Sequence, residues 1–217
     1  MPGSRTWMCS ADRRELRTSF TRTRTQMHKQ TTNLLSTLAA LRVLDADEQS
    51  HRDQIISFVN SHPAQWWQRA TREGHITGSA WVLNAQCTHA LLLHHAKLNC
   101  WVQPGGHLDD SDASPAAGAL REALEETGLS ALRLASEKIF DVDVHAIPER
   151  KTEPAHLHYD VRYLIISPDS AVTISDESLG ARWIALEELL LPAVERSISR
   201  MAEKSLNPEY LIPHLSP

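Results

Sequence analysis

Apolar positions first recur at helical spacing. Leu34, Leu35, Leu38, Leu41 and Leu44 follow one another at steps of one, three, three and three, and Ile55, Ile56 and Val59 resume after a polar connection from Asp45 to Asp53. Two helices are therefore predicted between Thr31 and Trp67, with Pro63 ending the second or opening a short extension. From Ile76 the period changes. Ile76–Leu83 and Ala90–His95 read as strands around an Asn84–Thr88 turn, and Trp101–Gln103 reads as a short strand ending at Pro104-Gly105-Gly106. A helix follows over Ser114–Thr127, with Ser114 as N-cap, Pro115 at the first helical position and Gly128 as the stop. Strands are predicted at Ile139–Val144, Leu157–Ile166 and Arg182–Ile184, and a last helix from about Pro192 to Lys204. Strands and helices in this mixed order predict an α/β layered domain with a mixed sheet.

Composition narrows the picture. With 217 residues, the chain suits one core with an appendage rather than two full domains. No apolar run approaches the roughly 20 residues that cross a bilayer, so a membrane protein is not expected. Cys9, Cys87 and Cys100 are odd in number and widely spaced, which argues for neither a disulfide framework nor a thiolate zinc site and fits a reducing cytoplasm. The net charge of −5 is unevenly spread: residues 1–30 carry seven basic and two acidic side chains, a local +5 that leaves −10 for the rest. A body that acidic is a poor partner for nucleic acid. We read 1–30 as a disordered basic tail, 31–67 as an N-terminal helical extension and 68–217 as the main domain. The extension is a candidate cap, specificity element or dimer arm, the last implying a homodimer.

The chemistry concentrates on the helix after the Gly-Gly turn. Glu122, Glu125 and Glu126 stand at i, i+3 and i+4, so their carboxylates crowd one helix face, as in a solvated acidic surface or a site for hard divalent ions. Arg121 adds a fixed cation able to hold a carboxylate bidentately. His156, His158 and Asp160 alternate, sharing one face of a strand with Leu157, Tyr159 and Val161 on the other. That polar face reads as pocket lining or as a wet strand surface. In the pocket reading, a charged histidine there donates to phosphate, and binding weakens as pH rises through about 6.5. His94-His95 places at most one ring in a site, and Trp81 or Trp101 could stack on a base.

The segment from Gly106 to Leu129 resembles the Nudix box, G-x5-E-x7-R-E-U-x-E-E-x-G-U with U apolar, of the Nudix hydrolases. The half from Arg121 to Leu129 matches at every specified position if Ala123 counts as apolar. The first half departs from it: Arg121 lies fifteen residues after Gly106 rather than fourteen, Ala113 occupies the place of the first Glu, and Asp112 is the nearest acid. In the family that Glu is more a structural partner than a metal ligand, so its loss bears first on loop packing. With Trp101–His107, Asp141–His145 and Pro154–Asp160, the resemblance extends from Ile76 to about Met201.

The resemblance implies a Nudix-like α/β/α sandwich that hydrolyses the diphosphate linkage of a nucleoside diphosphate joined to another moiety, a small-molecule substrate. It implies Mg²⁺, with Mn²⁺ as a substitute, held by Glu122, Glu125 and Glu126 beside Gly106, and Arg121 orienting a box carboxylate. A further acid in the family precedes a late-strand Trp by six residues, as Glu177 precedes Trp183; Glu177 or Glu153 is then the candidate base, although Glu177 reads equally as an ordinary loop acid. His107, Glu153, His156, His158 and Asp160 are the candidate substrate contacts. The alternatives are an isoprenoid diphosphate isomerase of the same fold, using Cys100, and a ligand sensor without activity; the retained box acids favour hydrolysis.

Overall fold

The computed structural model describes residues 28–96, 99–150, 153–175 and 178–215. Helix α1 covers 28–39, so residues 28–30, assigned above to the tail, are helical. The basic segment ahead of them lies outside the described residues. Helix α2 spans Ala46–Ser61 and consumes most of the segment expected as a polar connection. Asp45 caps it by accepting from the Glu48 amide at 2.8 Å, and Asp47 and Glu48 sit in the first turn, where acids complement the helix dipole. Polarity there is a helix start.

Among the described residues, seven strands form one sheet: β1 Gly74–Asn84, β2 His89–His95, β3 Cys100–Val102, β4 Gly105–His107, β5 Arg133–Ile147, β6 His156–Ser167 and β7 Ser178–Ala185. β1 and β6 pair in parallel along their whole length, from Gly74 opposite Leu157 to Asn84 opposite Ser167. β5 flanks β6 antiparallel; on the other side β4 and β2 share the edge of β1, and β2 carries β3 and β7. Most strands outrun their predicted lengths, because pairing continues through polar residues once the apolar alternation ends. β4 was expected as a turn. Helix α3, Pro115–Thr127, starts where Ser114 accepts from the Ala117 amide and stops at Gly128 with φ 63°.

Alternation along β1 sorts the two faces. Ile76 packs with Leu34, Leu38 and Leu41, with Ile55, Phe58 and Val59 of α2, and with Ala116 and Ala119 of α3, so the N-terminal helices and α3 share one core on this face. Trp81 and Leu83 point the other way, against Ile198, Met201 and Ala202 of α4, Arg196–Leu206. A mixed sheet thus lies between helical layers. A 3₁₀ turn, Glu188–Leu190, and helix α5, Pro208–Leu215, complete the chain; the prolines of α5 masked it in the sequence pattern.

Beneath α4 lies a buried ionic cluster. Asp141 accepts from Arg200 Nε at 2.8 Å and Nη2 at 2.9 Å, from Arg162 Nη1 at 3.2 Å, and stands 3.1 Å from Lys204 Nζ. Lys204 also donates to the Phe140 carbonyl and pairs with Glu48, which ties α2 to α4 across the sheet edge. Burial, then the nearby charge of Asp141, pushes the Glu48 carboxyl up to about 7 against the pull of Lys204. A folded-state value above the unfolded one stabilises the fold below the unfolded value and ceases to as pH rises through the folded one. The melting temperature of the wild type should therefore fall relative to that of Glu48→Gln between roughly pH 5 and pH 8. Parallel melting curves across that range would discard the assignment.

Candidate active site

The site is assembled where β4 meets α3. Gly105 and Gly106 pair with Ser79 and Gly78 of β1. Gly105 has φ 154°, and a Cβ there would lie 2.4 Å from Ser79 Oγ; a Cβ on Gly106 would lie 2.6 Å from Glu122 Oε2. Only glycine lets β4 lie this close to its neighbour strand at position 105, and a side chain at 106 would displace the Glu122 carboxylate. Glu126 Oε2 accepts from the Gly105 amide at 2.8 Å, which fixes that side chain against the turn. Glu125 is 62% exposed and stands 3.5 Å from Arg121 Nη1.

Arg121 organises the loop and the helix together. Its Nε and Nη2 form a fork on Asp112 at 3.1 and 2.9 Å, Nη1 donates to Glu122 at 2.8 Å, and Nη2 also donates to the His107 carbonyl at 2.9 Å. Asp112 further accepts from the Asp109 amide at 2.8 Å. The inserted residue is therefore absorbed in the loop, and Asp112 supplies the acidic partner that counting back to Ala113 left missing. Burial raises the Glu122 carboxyl above its usual range, and Arg121 works against the rise.

The donor set on α3 is wholly carboxylate oxygen, the chemistry suited to Mg²⁺ or Mn²⁺, and Gly106 leaves the space beside Glu122 free of side chain. Gln30, in α1, reaches the same loop and donates to the Asp112 and Ala113 carbonyls at 3.2 and 2.8 Å. Trp67 Nε1 donates to Asp110 Oδ1 at 2.8 Å. The loop between β4 and α3 is thus held from the N-terminal segment as well as by Arg121.

On the opposite face of β4, His107 gathers with His75 of β1 and His156 and His158 of β6. Ring centroids lie 4.8 Å apart for His75 and His158, 4.9 Å for His75 and His107, and 5.1 Å between His156 and each of His75 and His158. Burial and the neighbouring imidazoles push His75 down to about 3 and His158 down to about 2. For His158 the charged form expected to donate to phosphate near pH 6.5 is corrected: burial and the neighbouring imidazoles hold that ring neutral there. His145 differs: burial would lower it, but the Asp143 carboxylate and the charge of Asp160 raise it.

Asp160 is also corrected as a substrate contact. It is 1% exposed and accepts from Thr77 at 2.9 Å, Ser79 and Arg162 at 2.8 Å and Gln103 at 3.2 Å, so protein donors fill its oxygens. Trp81 is wholly buried with its Nε1 on Ser205, which removes it as a base-stacking surface, and the Trp101 ring is already stacked on His94 with Arg182 over it. Glu153 lies 3.6 Å from Arg69 and 4.0 Å from His156, while Glu177 lies outside the described residues. His75 was missed because the apolar alternation begins at Ile76; the polar alternation of His75, Thr77 and Ser79 was the available signal.

The model of the NUDIX domain matches residues 75–204, and the chain belongs to the Nudix family. Within it, this chain is a Nudix hydrolase. It is 30% identical over 125 residues, covering 57% of this chain and 72% of the relative, to a probable DHNTP pyrophosphohydrolase of Lactococcus lactis subsp. cremoris. Among solved structures it is similar to a Nudix-family hydrolase from Clostridium perfringens, at 24% identity, 63% and 97% coverage of the two chains and TM-score 0.46. A second similar structure is an Ap4A hydrolase of C. elegans, at 20% identity, 60% and 94% coverage and TM-score 0.44. Among the described residues, no helix is long and apolar enough to cross a membrane.

Proposed function

We propose that the chain hydrolyses the diphosphate linkage of a small nucleotide-like substrate with the box carboxylates. The observation that carries this reading is the Arg121 clamp, which joins Asp112, Glu122 and the His107 carbonyl and so presents the acid face of α3 beside the Gly-Gly turn. Mg²⁺, or Mn²⁺ in its place, held by Glu122, Glu125 and Glu126 beside Gly106, would neutralise diphosphate charge and lower the pKa of a bound water. Displacement at phosphorus demands little covalent chemistry, so the chain contributes chiefly orientation. Arg121 fixes the Glu122 carboxylate, the Gly105 amide fixes Glu126, and Gly106 admits the substrate's phosphate close to the backbone. Glu177 or Glu153 supplies the base. His107, His156 and His158 contact the substrate, His158 as a neutral ring that acts by hydrogen bonding and packing rather than by charge.

The test is a panel of ADP-ribose, nucleotide sugars, dinucleoside polyphosphates, nucleoside triphosphates and dihydroneopterin triphosphate, incubated with Mg²⁺ or Mn²⁺ and read as phosphate after phosphatase coupling. The last compound follows the name of the Lactococcus relative. At least one member is expected to turn over in a strictly divalent-dependent way. Turnover that survives chelation would defeat the reading, as would a panel without turnover.

A further inference from the structure

We propose that His75, His107 and His158 form a second cation site, of imidazole rather than carboxylate chemistry, for a borderline divalent transition ion such as Zn²⁺. The strands place these residues together. His75 and His158 are register partners across the parallel β1–β6 pair, and His107 on β4 pairs with Thr77, two residues along the same face of β1. One ring nitrogen from each lies within 4.8 Å of the other two, and among the described residues this is the one group of three or more metal-binding side chains whose donor atoms converge so closely. Tetrahedral zinc with Zn–N bonds of about 2.0–2.1 Å needs nitrogens about 3.3 Å apart, so the rings must close by at most about 1.5 Å, which small side-chain rotations supply.

A second, independent observation comes from His75. It is 0% exposed, and neither of its ring nitrogens has a hydrogen-bond partner. Burying an imidazole with both nitrogens unsatisfied is costly, and native structures rarely do so without a ligand or role. His156 adds the accompanying device: its Nδ1 donates to the Pro154 carbonyl at 2.9 Å, which fixes the tautomer and leaves Nε2, buried, as the lone-pair atom. Its ring centroid lies 5.1 Å from those of His75 and His158, which makes it the candidate fourth ligand. Without it, three nitrogens leave one position open to water or to an anionic oxygen of a bound substrate. Imidazole nitrogen selects against Mg²⁺, so this site and the box carboxylates divide the ions between them.

The experiment is a Co²⁺ titration of the chelator-stripped full chain in excess Mg²⁺, followed by the visible ligand-field absorption, with Zn²⁺ added as competitor. One saturable equivalent with a tetrahedral spectrum, displaced by Zn²⁺, is expected. His107→Gln and His158→Gln should weaken it at least ~10-fold, while Glu126→Gln should leave it intact. Absence of saturable binding in Mg²⁺, equal binding by the histidine variants, or loss in Glu126→Gln would overturn the site. Should the histidine variants fail to fold, the wild-type protein still decides: imidazole ligation gives paramagnetically shifted exchangeable ring N–H protons in the Co²⁺ form, and their absence refutes it. Since Glu126→Gln abolishes only the carboxylate chemistry, failure of the hydrolytic reading and failure of this one are separately visible.

Discussion

Glu126→Gln should lower turnover by at least ~10²-fold while leaving the melting temperature nearly unchanged, the size expected for losing a principal charge-stabilising group. The substitution is informative because of what it preserves. An amide oxygen can still accept from the Gly105 amide, which Glu126 Oε2 now does at 2.8 Å, so the β4 turn keeps its anchor and only the negative charge is lost. Steady-state rates on the best substrate of the panel, with a melting curve as control, make the comparison. A variant turning over at the wild-type rate would remove this carboxylate from the chemistry.

The largest effect on stability should come from Asp141→Asn, which keeps the volume but withdraws the one acid shared by Arg162, Arg200 and Lys204. Removing one partner of a buried ion pair costs about 3–5 kcal/mol, because the remaining charges stay desolvated. For a chain of this length that corresponds to roughly a 10 °C fall in melting temperature. Asp53→Asn is the matched control: that side chain is 59% exposed and pairs with Arg52 at 3.4 Å, so its effect should stay within about 0.5 kcal/mol. Equal melting temperatures for the two variants would show that the cluster is not a keystone of the fold.

The elements legible in the sequence were those whose signal is local. Ser114, Pro115 and Gly128 bound α3 because caps and stops act within one turn, and the alternation of Leu157, Tyr159 and Val161 marks β6 because its faces differ in polarity. Strand β4 was hidden, since Gly105, Gly106 and His107 have no strand propensity and pair only because β1 offers an edge and the glycines allow close approach. The partners of Asp141 were equally hidden: Arg200 lies 59 residues away, a distance at which no periodicity operates. The acid face of α3 could be read directly, but the rescue of the Arg121 clamp by Asp112 required the loop's path, and the histidine cluster required knowing which strands are neighbours.

The tethers from Gln30 and Trp67 to the loop at Asp110–Ala113 reach into the matched domain from outside it. The stretch shared with the family begins at residue 75, yet two of the fastenings of its lengthened box loop come from before that point. A fragment cut at residue 75 would carry every box residue and still leave this loop with more conformations to lose before Asp112 meets Arg121. Through Gln30 of α1 and Trp67, the N-terminal segment therefore contributes to the rigidity of this loop, and the stretch matched by the family's model is smaller than the stretch that keeps the loop in register.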